Sequence, residues 1–251
     1  MTLPLLGALM IGVSLGLLGS GGSILTVPVL TYLVGQDEKV AIAGSLGIVG
    51  GISAAAAIPY ARKRLIDGRS VVYFGVPGMG GAYLGAWLSG FVSGTTQLVT
   101  FALLMLAASV SMARPLRDDG PSGRRSAWKI GVDGLVVGAV TGFVGVGGGF
   151  LIVPALVLLG GVPMHRVVGT SLVIIALKSF TGFAKSLDVL DDLGLSLDWT
   201  ILGTFCAVGI AGSLGGNAVA SRLPQQILRR AFAGFLLVVG VFVLAKSSLG
   251  A

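Results

Sequence analysis

Two glycine-rich turns carry the pattern most capable of chemistry: GSGGSILTVPVL from Gly19 to Leu30, and GVGGGFLIVPAL from Gly145 to Leu156, 126 positions later. Gly19, Gly21 and Gly22 in one copy, and Gly145, Gly147, Gly148 and Gly149 in the other, let successive N–H groups point outward without side-chain obstruction. The half-helix after each turn adds the positive end of its dipole, so such a turn attracts an anion. Ser20 and Ser23 add hydroxyl donors to the first copy, whereas Val146 and Gly149 leave the second to rely on backbone. Lys178, the one basic residue deep in an apolar stretch, is a further candidate, because an ionisable group at membrane depth is costly and points first to function. Its structural alternative is snorkelling, or pairing with a helix C-terminus. Ser45, Thr170 and Ser171 open the segment after each turn, where a hydroxyl either caps a helix or faces a cavity.

The elements that must hold these residues are membrane segments. Across 251 residues, 54% are hydrophobic and 11% charged, with a mean hydropathy of +0.97, which exceeds what a soluble core needs. Apolar stretches run over 3–35, 40–61, 71–92, 98–113, 130–161, 167–187, 199–221 and 227–245. Most suit one crossing of roughly 20 helical residues. No cleavable signal peptide is expected, because the first stretch lacks a basic flank and runs straight into the first glycine turn. Cys206 is the single cysteine and lies in an apolar stretch, so it reads as a small buried residue and excludes disulfides within the chain. His165, the single histidine, sits beside Arg166 in an expected loop.

The 126-residue offset extends beyond the turns without a gap, pairing Leu9 with Leu135, Gly12 with Gly138, Pro28 with Pro154 and Leu46 with Leu172. Two related halves follow. The first and fifth stretches are too long for straight crossings, since 33 residues of helix measure about 50 Å against a hydrocarbon core of about 30 Å. Each is either a kinked crossing or a re-entrant hairpin broken at its glycines. Eight crossings place eleven basic residues inside and five outside, Lys178 being set aside as intramembrane. Six crossings with two hairpins place thirteen inside and three outside, namely Lys39, Lys185 and Lys246, and put the acidic loop at Asp188, Asp191, Asp192 and Asp198 outside. Basic residues favour the cytoplasmic side, so the hairpin count is preferred. Three crossings per half would then make the halves inverted repeats.

The sequence thus predicts an all-α polytopic membrane protein of two tandem halves, each with a re-entrant or broken glycine-rich helix plus three spanning helices. The first repeat is 1–113, a polar cytoplasmic linker 114–129, and the second repeat 130–251. The net charge of +7 sits in short loops beside apolar segments, so it reads as a topology signal and not as a nucleic-acid surface. Glycine pairs four apart, such as Gly12/Gly16, Gly81/Gly85 and Gly212/Gly216, suit close helix packing, and such faces would permit a homodimer. The GxGxxG spacing fails at Ile24 and Phe150, which excludes a nucleotide loop. No HExxH motif, activated nucleophile or carboxylate pair lies within a span, which argues against an enzyme and against a metal or other cofactor.

The motifs resemble those of the TauE/SafE sulfite-exporter family of membrane permeases, which carry a GxGGG…P element in each half followed by a G-T-S-L element. Here these read GSGGSILTVP, GVGGGFLIVP, AGSL at Ala43–Leu46 and GTSL at Gly169–Leu172. Ser23 replaces the third consecutive glycine, and Ala43-Gly44 stands where Gly-Thr precedes Ser in the second half. The resemblance implies a secondary transporter in the inner membrane for small sulfur-containing anions or organosulfonates, such as sulfite, thiosulfate or sulfoacetate. An exporter working by alternating access is the leading expectation. An anion channel, or a permease for another small organic anion, is the alternative.

Overall fold

The computed structural model describes residues 2–19, 22–113, 127–146, 152, 156, 164–220, 233–234 and 237–246. Among them every regular element is helical. Helix α1 (Thr2–Leu18) ends at Gly19, whose φ of +65° is the left-handed stop that glycine adopts without cost; α7 (Ala127–Val144) ends the same way at Gly145, φ +74°. Helix α7 begins inside the expected linker, most of which lies outside the described residues.

After the first turn, α2 (Ser23–Pro28) continues as a π-helix over Val29–Val34. Pro28 has no N–H to give the preceding turn, and the residues after it take up the wider i→i−5 spacing: Gly35, in the left-handed region, donates to Leu30 five back. A second π-helix, Val71–Gly75, joins α4 (Gly68–Ser70) to α5 (Val76–Ser89), and here the proline, Pro77, follows it in the first turn of α5. Long helix α3 (Glu38–Arg62) is capped by Asp37, whose carboxylate accepts from Lys39 N–H at 2.9 Å. The remaining elements are α6 (Gly94–Ala113), α8 (Met164–Asp192), α9 (Trp199–Ala220) and α10 (Leu237–Lys246). Asp198 caps α9 by accepting from Thr200 and Ile201 N–H.

Three of the described helices, α3, α8 and α9, are long and apolar enough alone to cross a bilayer, and shorter apolar helices accompany them. Large hydrophobic side chains such as Leu6, Val72, Phe91, Trp128 and Val238 stand exposed, as a lipid-facing surface requires. The chain is a multi-pass helical membrane protein.

Glycines set which helices meet. A Cβ on Gly12 or Gly16 would strike the carbonyls of Gly209 or Ser213, and one on Gly138 or Gly142 those of Gly78 or Ala82. Gly81, Gly85, Gly212 and Gly216 reciprocate against the backbones of α7 and α1. These faces, expected to suit close packing, do so within the chain: α1 lies against α9 and α5 against α7. In both pairs the contacts advance together along the two chains, so the partners run parallel. Helices α3 and α8 cross antiparallel, with Leu46 by Gly182, Gly50 by Phe180, and Ala57 in one cluster with Leu172. Helix α3 runs parallel to α9 (Gly47 by Leu202, Gly51 by Cys206), and α5 parallel to α8 (Gly75 by Ile174, Gly78 by Lys178). Helix α2 returns along α1, with Gly22 against Ile11 and Leu15 and Val29 against Gly7.

Candidate functional site

Each glycine turn is held by the opposite half. Ser45 Oγ, on the second turn of α3, donates to Gly145 O, while Ser171 Oγ, at the equivalent place on α8, donates to Gly19 O at 3.3 Å. Both hydroxyls also lie within reach of the carbonyl three residues back, Ile42 O at 2.8 Å and Val168 O at 2.9 Å, so one proton is shared between two acceptors. A Cβ on Gly145 would strike Ile42, and one on Gly19 would strike Val168. All these pairs exchange under the 126-residue offset. Gln97 Nε2 also donates to Phe143 O in the last turn of α7. Three carbonyls at the negative ends of α1 and α7, those of Gly19, Phe143 and Gly145, which would repel an anion, are thereby occupied by protein donors.

The two turns do not share one level. The Gly19 turn rests on Val168 and Ser171, beside Ala57 and Tyr60 of α3, whereas the Gly145 turn rests on Ile42 and Ser45. At 1.5 Å per residue that is a separation of roughly 20 Å along the α3–α8 pair. Lys178 falls between them. Its residue is 1% exposed, its aliphatic stem packs on Gly78, its Nζ stands 5.8 Å from the centre of the Phe74 ring, and no hydrogen-bond partner reaches that Nζ. The equivalent residue of the first half, Ile52, packs on Gly209 of α9 in the same fashion. The two equivalent positions thus carry a lysine in one half and an isoleucine in the other.

The remaining candidate residues have other surroundings. Thr170 Oγ1 accepts from Asp67 N–H at 2.9 Å and donates to Arg166 O at 2.7 Å, so it ties the loop before α4 to α8. Gly44 occupies the matching position and has no such tie to offer. Ser23 is fully buried, and Gly22 is pressed against the backbone of α1. Ser20, Gly21, Gly147, Gly148 and Gly149 lie outside the described residues. The structure thus joins Gly19 with Ser171 and Gly145 with Ser45, and sets Lys178 apart from both. Two buried hydroxyls passed over in the sequence, Ser53 and Ser179, have no hydrogen-bond partner. The offset that aligns the turns also aligns these serines, and it is the signal that could have found them.

A polytopic helical protein whose two glycine turns exchange contacts, with a buried lysine lacking a hydrogen-bond partner between them, has the makings of a membrane transporter. The chain belongs to the family described as Sulfite exporter TauE/SafE, which matches residues 4–243. It is 35% identical to a probable membrane transporter protein of Xylella fastidiosa strain 9a5c over 247 residues, 95% of this chain and 92% of that one. It is 31% identical over 192 residues to the probable membrane transporter protein YunE of Bacillus subtilis, covering 66% of this chain and 70% of that one. A probable membrane transporter protein of Haemophilus influenzae is 26% identical over 96% of this chain and 97% of its own. No solved structure matches the chain. Family and relatives alike support a membrane transporter.

Proposed function

We propose that the chain is a secondary transporter that exports small sulfur-containing anions or organosulfonates, such as sulfite or sulfoacetate, across the inner membrane by alternating access. The observation that carries the anion is Lys178, a buried ammonium at mid-length of α8 with no hydrogen-bond partner. An ammonium at this depth is costly and an anion beside it offsets that cost, so Lys178 suits the transported anion as its counter-ion. The sulfur chemistry rests on the family. Export needs no coupling ion, because an inside-negative potential contributes roughly 2.3 kcal/mol per charge per 100 mV toward expelling an anion.

The architecture proposed is a pair of inverted repeats, 1–113 and 130–251, joined by a cytoplasmic linker. Helix directions support it: α1 runs with α9 and α3, α7 runs with α5 and α8, and α3 opposes α8, so α1, α3 and α5 are each antiparallel to their copies α7, α8 and α9. The return of α2 along α1 supports a re-entrant hairpin in the first half. A cysteine appended at the C-terminus is therefore expected to react with an impermeant maleimide from the periplasmic side of intact cells; protection there, with reaction from the cytoplasmic side, would favour eight crossings.

The glycine contacts bind α1 to α9 and α5 to α7 so closely that the moving parts are two bundles, each drawn from both repeats, and not the repeats as intact blocks. Reconstitution tests the function. Proteoliposomes carrying the purified protein should take up labelled sulfite or sulfoacetate with saturation, and show accelerated exchange when the same anion is loaded inside. Unsaturable flux without exchange would assign a channel instead.

A further inference from the structure

We propose that Ser53 and Ser179 form a central anion-binding subsite where α3 crosses α8, separate from the two glycine turns. Along this crossing Leu46 meets Gly182, Gly50 meets Phe180, and Ala57 clusters with Leu172. Ser53 shares the helical face of Leu46, Gly50 and Ala57, and Ser179 shares that of Leu172 and Phe183, so both serines lie on the facing sides of the pair. The antiparallel register sets them within about 4 Å of each other along the axis. They are also equivalents under the 126-residue offset, so they flank the point about which the two halves exchange.

Both residues are fully buried and both hydroxyls lack a partner. That is a departure from local habit. The hydroxyls of Ser45, Ser89, Thr141, Thr170, Ser171 and Thr181 each donate to a carbonyl three or four residues back, the inexpensive way to satisfy a hydroxyl in a helix at membrane depth. Ser53 and Ser179 forgo it and keep their protons free. Two O–H donors on opposing helices suit a guest with at least two acceptor oxygens, as a small oxyanion or sulfonate has. A cation would use the lone pairs of the same hydroxyls, but the Lys178 ammonium, adjacent to Ser179 in sequence and buried, opposes it. The subsite is thereby two-fold in its hydrogen bonds and one-sided in its charge. It rests on the reading of the chain as a small-anion transporter and adds where the anion sits midway.

The test uses the full-length protein in proteoliposomes with Cys206→Ala as background and Ser53→Cys or Ser179→Cys added. An anionic methanethiosulfonate bearing a sulfonate is compared with a cationic one bearing a quaternary ammonium, each rate normalised to its reaction with a free thiol in water. The expected result is a preference for the anionic reagent at both positions, on the order of tenfold or more. Equal rates, a cationic preference, or silence toward both reagents would overturn the subsite. Uptake of labelled sulfite and sulfoacetate by the unmodified protein separates the two ideas. An anionic preference without uptake removes the substrate reading and leaves the subsite standing; uptake with silent cysteines does the reverse.

Discussion

Lys178→Met is expected to lower anion affinity by about tenfold to a hundredfold, the cost of losing a hydrogen bond to a charged group in a buried site. Methionine keeps the length and apolar character of the stem that packs on Gly78 and removes only the ammonium. Because that Nζ has no hydrogen-bond partner in the protein, its loss relieves the cost of burying an ammonium, and the variant should unfold at the same or a higher temperature. The two readouts move in opposite directions, which a structural lysine would not produce. Titration calorimetry with sulfoacetate, alongside thermal unfolding in detergent, measures both. Unchanged affinity assigns Lys178 to structure.

Gly145→Val is expected to abolish transport while the protein still inserts. At φ +74° a β-branched residue is held where it is strained, at about 1–3 kcal/mol. Its side chain would also meet Ile42 in a packed interface, adding about 1–3 kcal/mol. The strain falls on the carbonyl that accepts from Ser45, so the turn loses its anchor to the other half. Gly19→Val should behave alike against Val168 and Ser171. Gly203→Val supplies the control, for it lies in α9 with nothing near its Cβ position. Sulfite flux in proteoliposomes, read beside expression and monodispersity, distinguishes the outcomes. Full flux with valine at both turns would remove them from the mechanism.

Composition made the helical membrane character legible, and the glycine runs the breaks at Gly19 and Gly145, because each depends on local chemistry: apolar length and left-handed glycine. Partner choice was not legible. Gly12, Gly81 and Gly216 announce close packing, but nothing in their spacing says that α1 seeks α9 and α5 seeks α7. Ser45 and Ser171 were weighed as caps or cavity donors, and neither description includes a carbonyl about a hundred residues or more away in the chain. Nor does the shared motif disclose that each turn sits on the first turns of the other half's long helix. Lys178 stood out by hydropathy because one charge suffices to mark a span, while Ser53 and Ser179 did not, since serine is common in membrane helices and only a missing back-bond sets these two apart.

The exchanged contacts, Ser45 to Gly145 and Ser171 to Gly19, are those an isologous interface makes, in which residue i meets j and j meets i. Under the inverted-repeat architecture proposed above, two copies of a half-length chain inserted in opposite orientations would assemble through the same surfaces. Such an ancestor would need both orientations in equal number and would carry the same residue at every equivalent place. Joining the halves in one chain fixes the ratio at one to one. It also releases each position from its copy, so that isoleucine at 52 can pack on α9 while lysine at 178 packs on α5, and one framework can hold two different side chains at equivalent places.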